Sequence, residues 1–151
     1  MKKGIAIVIA CLFVNLTWAQ DFEVPEDYSF SDESEYQEYE DDVLDCIQWM
    51  IETPPDVELQ KRMDAQTFFL KWVTGTPTIT LELSGDGVEL ASKNSMLLFI
   101  YMAGYARYEI ENEDTDPKEG NEIGVKTVLD YYKEHEEYLK RDKKIEKLIE
   151  E

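Results

Sequence analysis

Cysteine and histidine are nearly missing from this chain. Only Cys11, Cys46 and His135 occur in 151 residues. Cys11 falls in an N-terminal leader, so Cys46 stands alone in the remainder and an internal disulfide there is excluded. Val43, Cys46, Ile47 and Met50 recur at helical spacing, which turns Cys46 inward as a small hydrophobe. His135 sits in Lys133-Glu134-His135-Glu136-Glu137 and reads as part of a solvated helix face. One cysteine inside and one histidine outside make no zinc site. Nothing near His135 supplies a nucleophile for it to activate. No catalytic residue and no cofactor site is assigned.

Positive charge is also scarce. There are 15 Lys and Arg against 34 Asp and Glu, for a net charge of −19. Between Gln20 and Gln60 there are 15 acids and no base. Nucleic acid is excluded as a partner, because its affinity rests on cations that neutralise phosphates. Anionic lipid is repelled on the same ground. Cations, basic peptides and basic proteins would be attracted. Beyond the leader no apolar run approaches the roughly 20 residues of a membrane span. Met96–Ala106 is uncharged but too short.

What is present begins with that leader. Lys2 and Lys3 precede an apolar run from Gly4 to Val14, and Thr17-Trp18-Ala19 places small residues before a cleavage point. This is the pattern of a secretory signal peptide over residues 1–19. Val8-Ile9-Ala10-Cys11 loosely resembles a lipobox. Cleavage there would strand Leu12 to Trp18 on the mature chain, so lipid anchoring at Cys11 is disfavoured. The chain is expected in the periplasm or outside the cell. Residues 20–151 then carry 13 bases and 34 acids, a net charge of −21.

Residues 20–33 read as an acidic extended arm, with Phe22, Val24, Tyr28 and Phe30 available to dock it. Residues 34–151 read as one helical domain. Ser34 with Gln37 suggests the start of a first helix. Tyr36, Tyr39, Val43, Cys46, Ile47 and Met50 carry it at a 3.6-residue period to Thr53-Pro54-Pro55. Asp56 is expected to cap a second helix running to about Thr74. Its apolar set is Leu59, Met63, Phe69, Leu70 and Val73, widened by Phe68 and Trp72. The four-residue link predicts a helical hairpin. Thr78–Ser84 alternates polar and apolar, and Ser84-Gly85-Asp86-Gly87 is a turn signal. The segment is an extended connector, or the first strand of a short hairpin returning through Val88-Glu89-Leu90. A third, nearly wholly apolar helix starts at Asn94 or Ser95. Gly104 within it marks a close helix approach. A loop over Asp114–Gly120 precedes a fourth helix from Asn121 to about Tyr138. A final charged helix carries Ile145, Leu148 and Ile149, with Asp142 as its cap or with the fourth helix simply continuing.

The acids form pairs everywhere, which makes no pair diagnostic of glycosidase chemistry. Asn112-Glu113-Asp114-Thr115-Asp116 imitates the start of a calcium loop, but Pro117 replaces the glycine and Ile123 the glutamate that the geometry demands. Weak cation binding there or along Glu38 to Asp45 remains an expectation. Tyr101, Tyr105 and Tyr108 follow helical spacing on the third helix. Together with Trp49 and Trp72 they are core, core rim or groove lining.

Gln20-Asp21-Phe22-Glu23-Val24-Pro25, Phe69–Thr78 and Gly120-Asn121 resemble the layout of a group of small exported helical proteins of Bacteroidetes-type bacteria. The resemblance covers most of the chain after the leader. It implies export and a helical fold, with no activity and no catalytic residue.

The expected fold is all-α: four to five helices packed around the central apolar helix, with one short extended segment or hairpin. The expected function is that of an exported interaction or scaffolding module holding a protein partner, with no enzymatic activity. Its surface would be drawn from Glu38, Asp41, Asp42 and Asp45, from Ile79 and Leu81 on an exposed edge, and from Tyr101, Tyr105 and Tyr108. The alternative is a binder of a small ligand or a divalent cation.

Overall fold

A computed structural model of the chain describes residues 22–83 and 85–150. The leader, residues 1–19, lies outside them. The described residues are helical, with seven α-helices, one 3-10 turn and no strand.

Helix α1 (Glu33–Glu38) and α2 (Glu40–Glu52) replace the single first helix expected from the period. The start differs too. Asp32, not Ser34, caps α1, because its carboxylate accepts the main-chain N–H groups of Ser34 (3.0 Å) and Glu35 (3.3 Å) and is favoured there by the helix dipole. Tyr39 interrupts the run at φ −93°, ψ 8°. Its ring meets Phe30 edge-on at 5.6 Å and Phe68 at 6.2 Å, so packing holds it out of helical phase.

The arm is docked. Phe22 is buried against Trp49, with ring centroids 6.3 Å apart. Tyr28 meets Phe68 edge-on at 5.0 Å, and Phe30 stacks on Tyr36 at 5.1 Å.

Helix α3 (Leu59–Gly75) starts later than expected, and Asp56 does not cap it. Glu58 precedes it in the left-handed region at φ 47° and offers no side-chain cap. The core face is also rotated from the one read in the sequence. Arg62, Ala65, Phe68, Phe69 and Trp72 are buried, whereas Leu59 and Met63 are each 61% exposed and Leu70 40%. Two apolar faces compete on this helix, and the aromatic face wins because Phe and Trp bury more area.

The corner between α2 and α3 is closed by Arg62. Its Nη2 donates to the carbonyls of Thr53 (2.7 Å) and Pro54 (2.9 Å). Its Cζ lies 5.2 Å from the Trp49 ring centroid. Burial holds this guanidinium below its ordinary pKa.

Residues 77–83 follow α3 without helix or strand. The turn and return strand foreseen at 84–90 do not form among the described residues, because Gly85–Leu90 is helix α4. Gly87 in α4 sits under the ring of Tyr101, with which a Cβ there would collide.

Helix α5 (Leu97–Glu111) buries eight residues, from Leu97 through Ala106. It packs on α2, α4 and helix α6 (Pro117–Glu134). Helix α6 therefore begins four residues before Asn121. The Asp114–Gly120 loop expected there is half helix, since Asp116 caps it by accepting the Lys118 N–H at 2.9 Å and Pro117 occupies the first turn, where its missing donor costs nothing. Helix α6 ends at Glu134, short of Tyr138. A 3-10 turn (Glu136–Tyr138) leads to helix α7 (Lys143–Glu150).

Glycine sets the distance between α5 and α6. A Cβ on Gly104 would lie 2.6 Å from Thr127 Cβ, and one on Gly124 would lie 2.8 Å from the Tyr101 carbonyl oxygen. Neither neighbour is the free end of a flexible chain. Gly124→Ala is expected to destabilise the fold by about 1–3 kcal/mol, although alanine by itself favours helix by about 1 kcal/mol. Urea unfolding measures this, and a stabilised variant would refute the close approach.

Asp142 fastens α7 as the cap. It is 3% exposed. Its carboxylate accepts the Lys144 N–H at 2.9 Å and pairs with Lys93 at 3.2 Å. Its own N–H donates to the Tyr132 hydroxyl at 2.8 Å. Burial pushes the carboxyl upward, but these partners outweigh it and the pKa is lowered. A depressed folded value stabilises the fold above the ordinary carboxyl pKa of about 4 and loses that contribution as pH falls through the folded value. Thermal melts from neutral pH down to about pH 3 should therefore show a smaller acid-induced loss for Asp142→Asn than for the parent.

Candidate functional site

The three groups of residues singled out from the sequence end up in different environments. Tyr101 and Tyr105 are fully buried and contribute no surface. The Tyr101 hydroxyl donates to Asn121 Oδ1 at 2.6 Å, and that of Tyr105 to the Pro117 carbonyl at 3.1 Å. They moved inward because glycines 87, 120 and 124 leave room for their rings. Tyr108 is half-buried. Its hydroxyl donates to Glu119 Oε2 at 2.9 Å and accepts the Asp116 N–H at 3.2 Å. It ties the loop between α5 and α6 together.

The acids gather on α1 and α2. Glu38 and Asp41 are exposed, and Asp42 and Asp45 are half-buried. Burial, and then the charges of Asp45 and Asp41, raise the Asp42 pKa. Among the described residues, no three His, Cys, Asp or Glu side chains converge so as to hold a metal ion. In the loop read as calcium-like, Asp116 is spent on capping α6, and Thr115 donates to Glu109 Oε2 at 2.9 Å.

His135 is corrected from surface to interior. It is 5% exposed, because α6 stops at Glu134 and the next residue turns inward as the C-cap. Its ring meets Tyr131 at 4.5 Å, and its Nε2 is buried without a partner among the described residues. Tyr131 is pushed up to about 12 by burial, yet its hydroxyl is engaged with the Thr53 carbonyl at 3.0 Å, a structural role. Cys46 is fully buried, and burial drives its thiol well above its ordinary pKa. It is no reactive thiol. No helix among the described residues is long and apolar enough to cross a membrane.

Residues 77–83 are the remaining group. Thr78, Thr80 and Glu82 are exposed, Ile79 is buried and Leu81 is half-buried, the two-residue period of an extended chain. Ile79 and Leu81 are anchors, not contacts. Among the described residues, no backbone hydrogen bond joins 79–83 to another element. The Glu82 main chain lies against the Tyr105 hydroxyl. Alternate amides of an extended chain point to opposite sides, so those of Ile79, Leu81 and Leu83 face away from Tyr105.

A groove of about 370 Å³ runs beside this edge, lined by Val73, Thr74, Thr76, Leu81, Leu83 and Met102, among others. Leu83 is 45% exposed, and Leu70, one turn back along α3 from Val73 and Thr74, is 40% exposed. The sequence alternation pointed to the edge. It gave no signal for Leu70, Val73 and Met102, which join it from other elements.

No protein-family model, curated protein or solved structure matches the chain.

The raised Asp42 pKa marks a cost. A carboxyl whose folded value is raised removes stability as pH rises through it. Asp42→Asn should therefore raise the melting temperature at pH 7 and leave it nearly unchanged at pH 3, where the parent carboxyl is protonated. A lower melting temperature at pH 7 would show that the charge is compensated.

Proposed function

We propose that this chain is an exported protein-interaction module that receives an extended partner segment along residues 78–83. The observation that supports the reading is an extended segment whose main chain makes no backbone hydrogen bond to another element among the described residues, beside a groove lined by apolar and threonine side chains. An incoming strand gains main-chain hydrogen bonds from such an edge and specificity from pockets for alternate side chains. Natural proteins usually cover or charge an edge of this kind. Here only Glu82 is charged between Thr78 and Leu83.

Ile79 and Leu81 serve this reading by fixing the edge on the body. We take α5 as the central support of the bundle: its buried residues hold α2, α4 and α6, and Tyr105 backs the edge at Glu82. The signal peptide pattern supplies export, and the resemblance to exported proteins of Bacteroidetes-type bacteria belongs to the same reading. The acidic face of Glu38, Asp41, Asp42 and Asp45 keeps the molecule apart from other acidic surfaces.

The test is a photo-crosslinking amino acid in place of Thr80, and in a second strain in place of Glu38, in cells of the source organism. Illumination should give one defined adduct from position 80 and none from position 38. Equal adducts from both, or none from either, would overturn the edge as the binding surface. The second outcome would return the chain to the small-ligand alternative.

A further inference from the structure

The edge and the α3 face beside it form a surface unlike the rest of the molecule in charge. From Ala65 to Leu83 the sequence holds one base, Lys71, and one acid, Glu82. Residues 20–60 hold 15 acids and no base. Lys71 is turned toward the arm, with its Nζ 4.9 Å from the Tyr28 ring centroid. What the surface offers is apolar or neutral: Leu70, Val73, Thr74, Thr80 and Leu83.

A basic partner would be drawn to the acidic α1–α2 side and would find Glu82 as its one counter-charge between Ala65 and Leu83. Another copy of this chain is repelled almost everywhere, because residues 20–151 of each copy carry 34 acids against 13 bases. It can approach closely only where the surface is neutral. The edge also matches itself. In a two-fold antiparallel pairing centred on Thr80, Glu82 lies opposite Thr78 of the other copy. Centred on Leu81, Glu82 lies opposite Thr80. In neither register do two carboxylates face each other, an arrangement that would be destabilising. The amides of Ile79, Leu81 and Leu83, which make no backbone hydrogen bond among the described residues, then bond across the axis, and Leu83 with Leu70 covers the groove.

We infer that the occupant of the edge is a second copy of this chain, paired strand to strand about a two-fold axis with the outer face of α3 alongside. This rests on the reading of residues 78–83 as an interaction edge. Its distinguishing property is its salt response. Like-charged partners associate more tightly as salt screens their repulsion, whereas an acidic protein and a basic partner associate less tightly.

The protein purified after expression of its complete reading frame is examined by sedimentation equilibrium over a range of concentrations. The expected result is a monomer–dimer equilibrium that tightens several-fold from about 0.1 M to about 1 M sodium chloride, as the Debye length falls from about 10 to about 3 Å. Leu83→Pro removes an edge amide, and Leu70→Asp charges the helix face. Each change counts twice in a two-fold dimer, so each should weaken it about tenfold or more. Both residues are exposed, and an unchanged circular dichroism spectrum establishes that the variants fold.

A monomer under all conditions overturns the second copy as occupant. If the crosslinker at position 80 then captures a different protein, the interaction edge stands and only its occupant was wrong. If it captures nothing, both readings fall. A dimer indifferent to both substitutions, or one loosened by salt, overturns the placement.

Discussion

A buried cation that pairs with no acid among the described residues holds the first half of this structure together. The Arg62 guanidinium is 4% exposed in a chain with 34 acids, yet among the described residues it is held by main-chain carbonyls and by the Trp49 ring. Those carbonyls belong to the end of α2 and the corner after it, where the helix leaves acceptors unsatisfied and its dipole favours positive charge. The Thr53 carbonyl also accepts from Tyr131 of α6. One polar knot therefore joins α2, α3 and α6. A buried charge without its partners is expensive, so α3 cannot roll about its axis without stranding the guanidinium.

Fixing that roll decides which side of α3 is surface. With Arg62 inward, Phe68, Phe69 and Trp72 follow it at helical spacing, and Leu59, Met63 and Leu70 are left outside. The outer apolar face thus follows from the knot at the other side of the helix. The second half is set by close approach instead. Gly104 admits Thr127, while glycines 87, 120 and 124 receive the rings of Tyr101 and Tyr105. Tyr105 in turn backs the chain at Glu82. Away from both features the partial burial of Asp42, and then repulsion from Asp45 and Asp41, is tolerated at a cost.

Much of the helical content was legible in the sequence. The period through Val43, Cys46 and Met50, the stop at Pro54-Pro55, the apolar stretch at 97–106 and the Asp142 cap all correspond to observed features. Local signals failed where two of them competed. Asp32 outbid Ser34 as a cap. The Asp116-Pro117 start of α6 was hidden by reading proline as loop. Ser84-Gly85-Asp86-Gly87 looked like a turn, yet Gly85–Leu90 is helical, with Gly87 packed under the Tyr101 ring. His135 looked solvated by its neighbours in sequence, but a helix end redirected it.

By itself the sequence determined what short-range physics controls: helix rather than sheet, the imbalance of acids over bases, an unpaired Cys46 turned inward, and the alternation at 78–83. Those properties need only neighbours a few residues away. The tertiary structure alone decided which of two apolar faces α3 buries, that Tyr101 and Tyr105 sink into the core, and that Val73, Leu83 and Met102 meet along one groove. The difference is physical. A period shows that a face is apolar, but choosing between two such faces depends on the volume, charge and backbone space of residues far away in the chain.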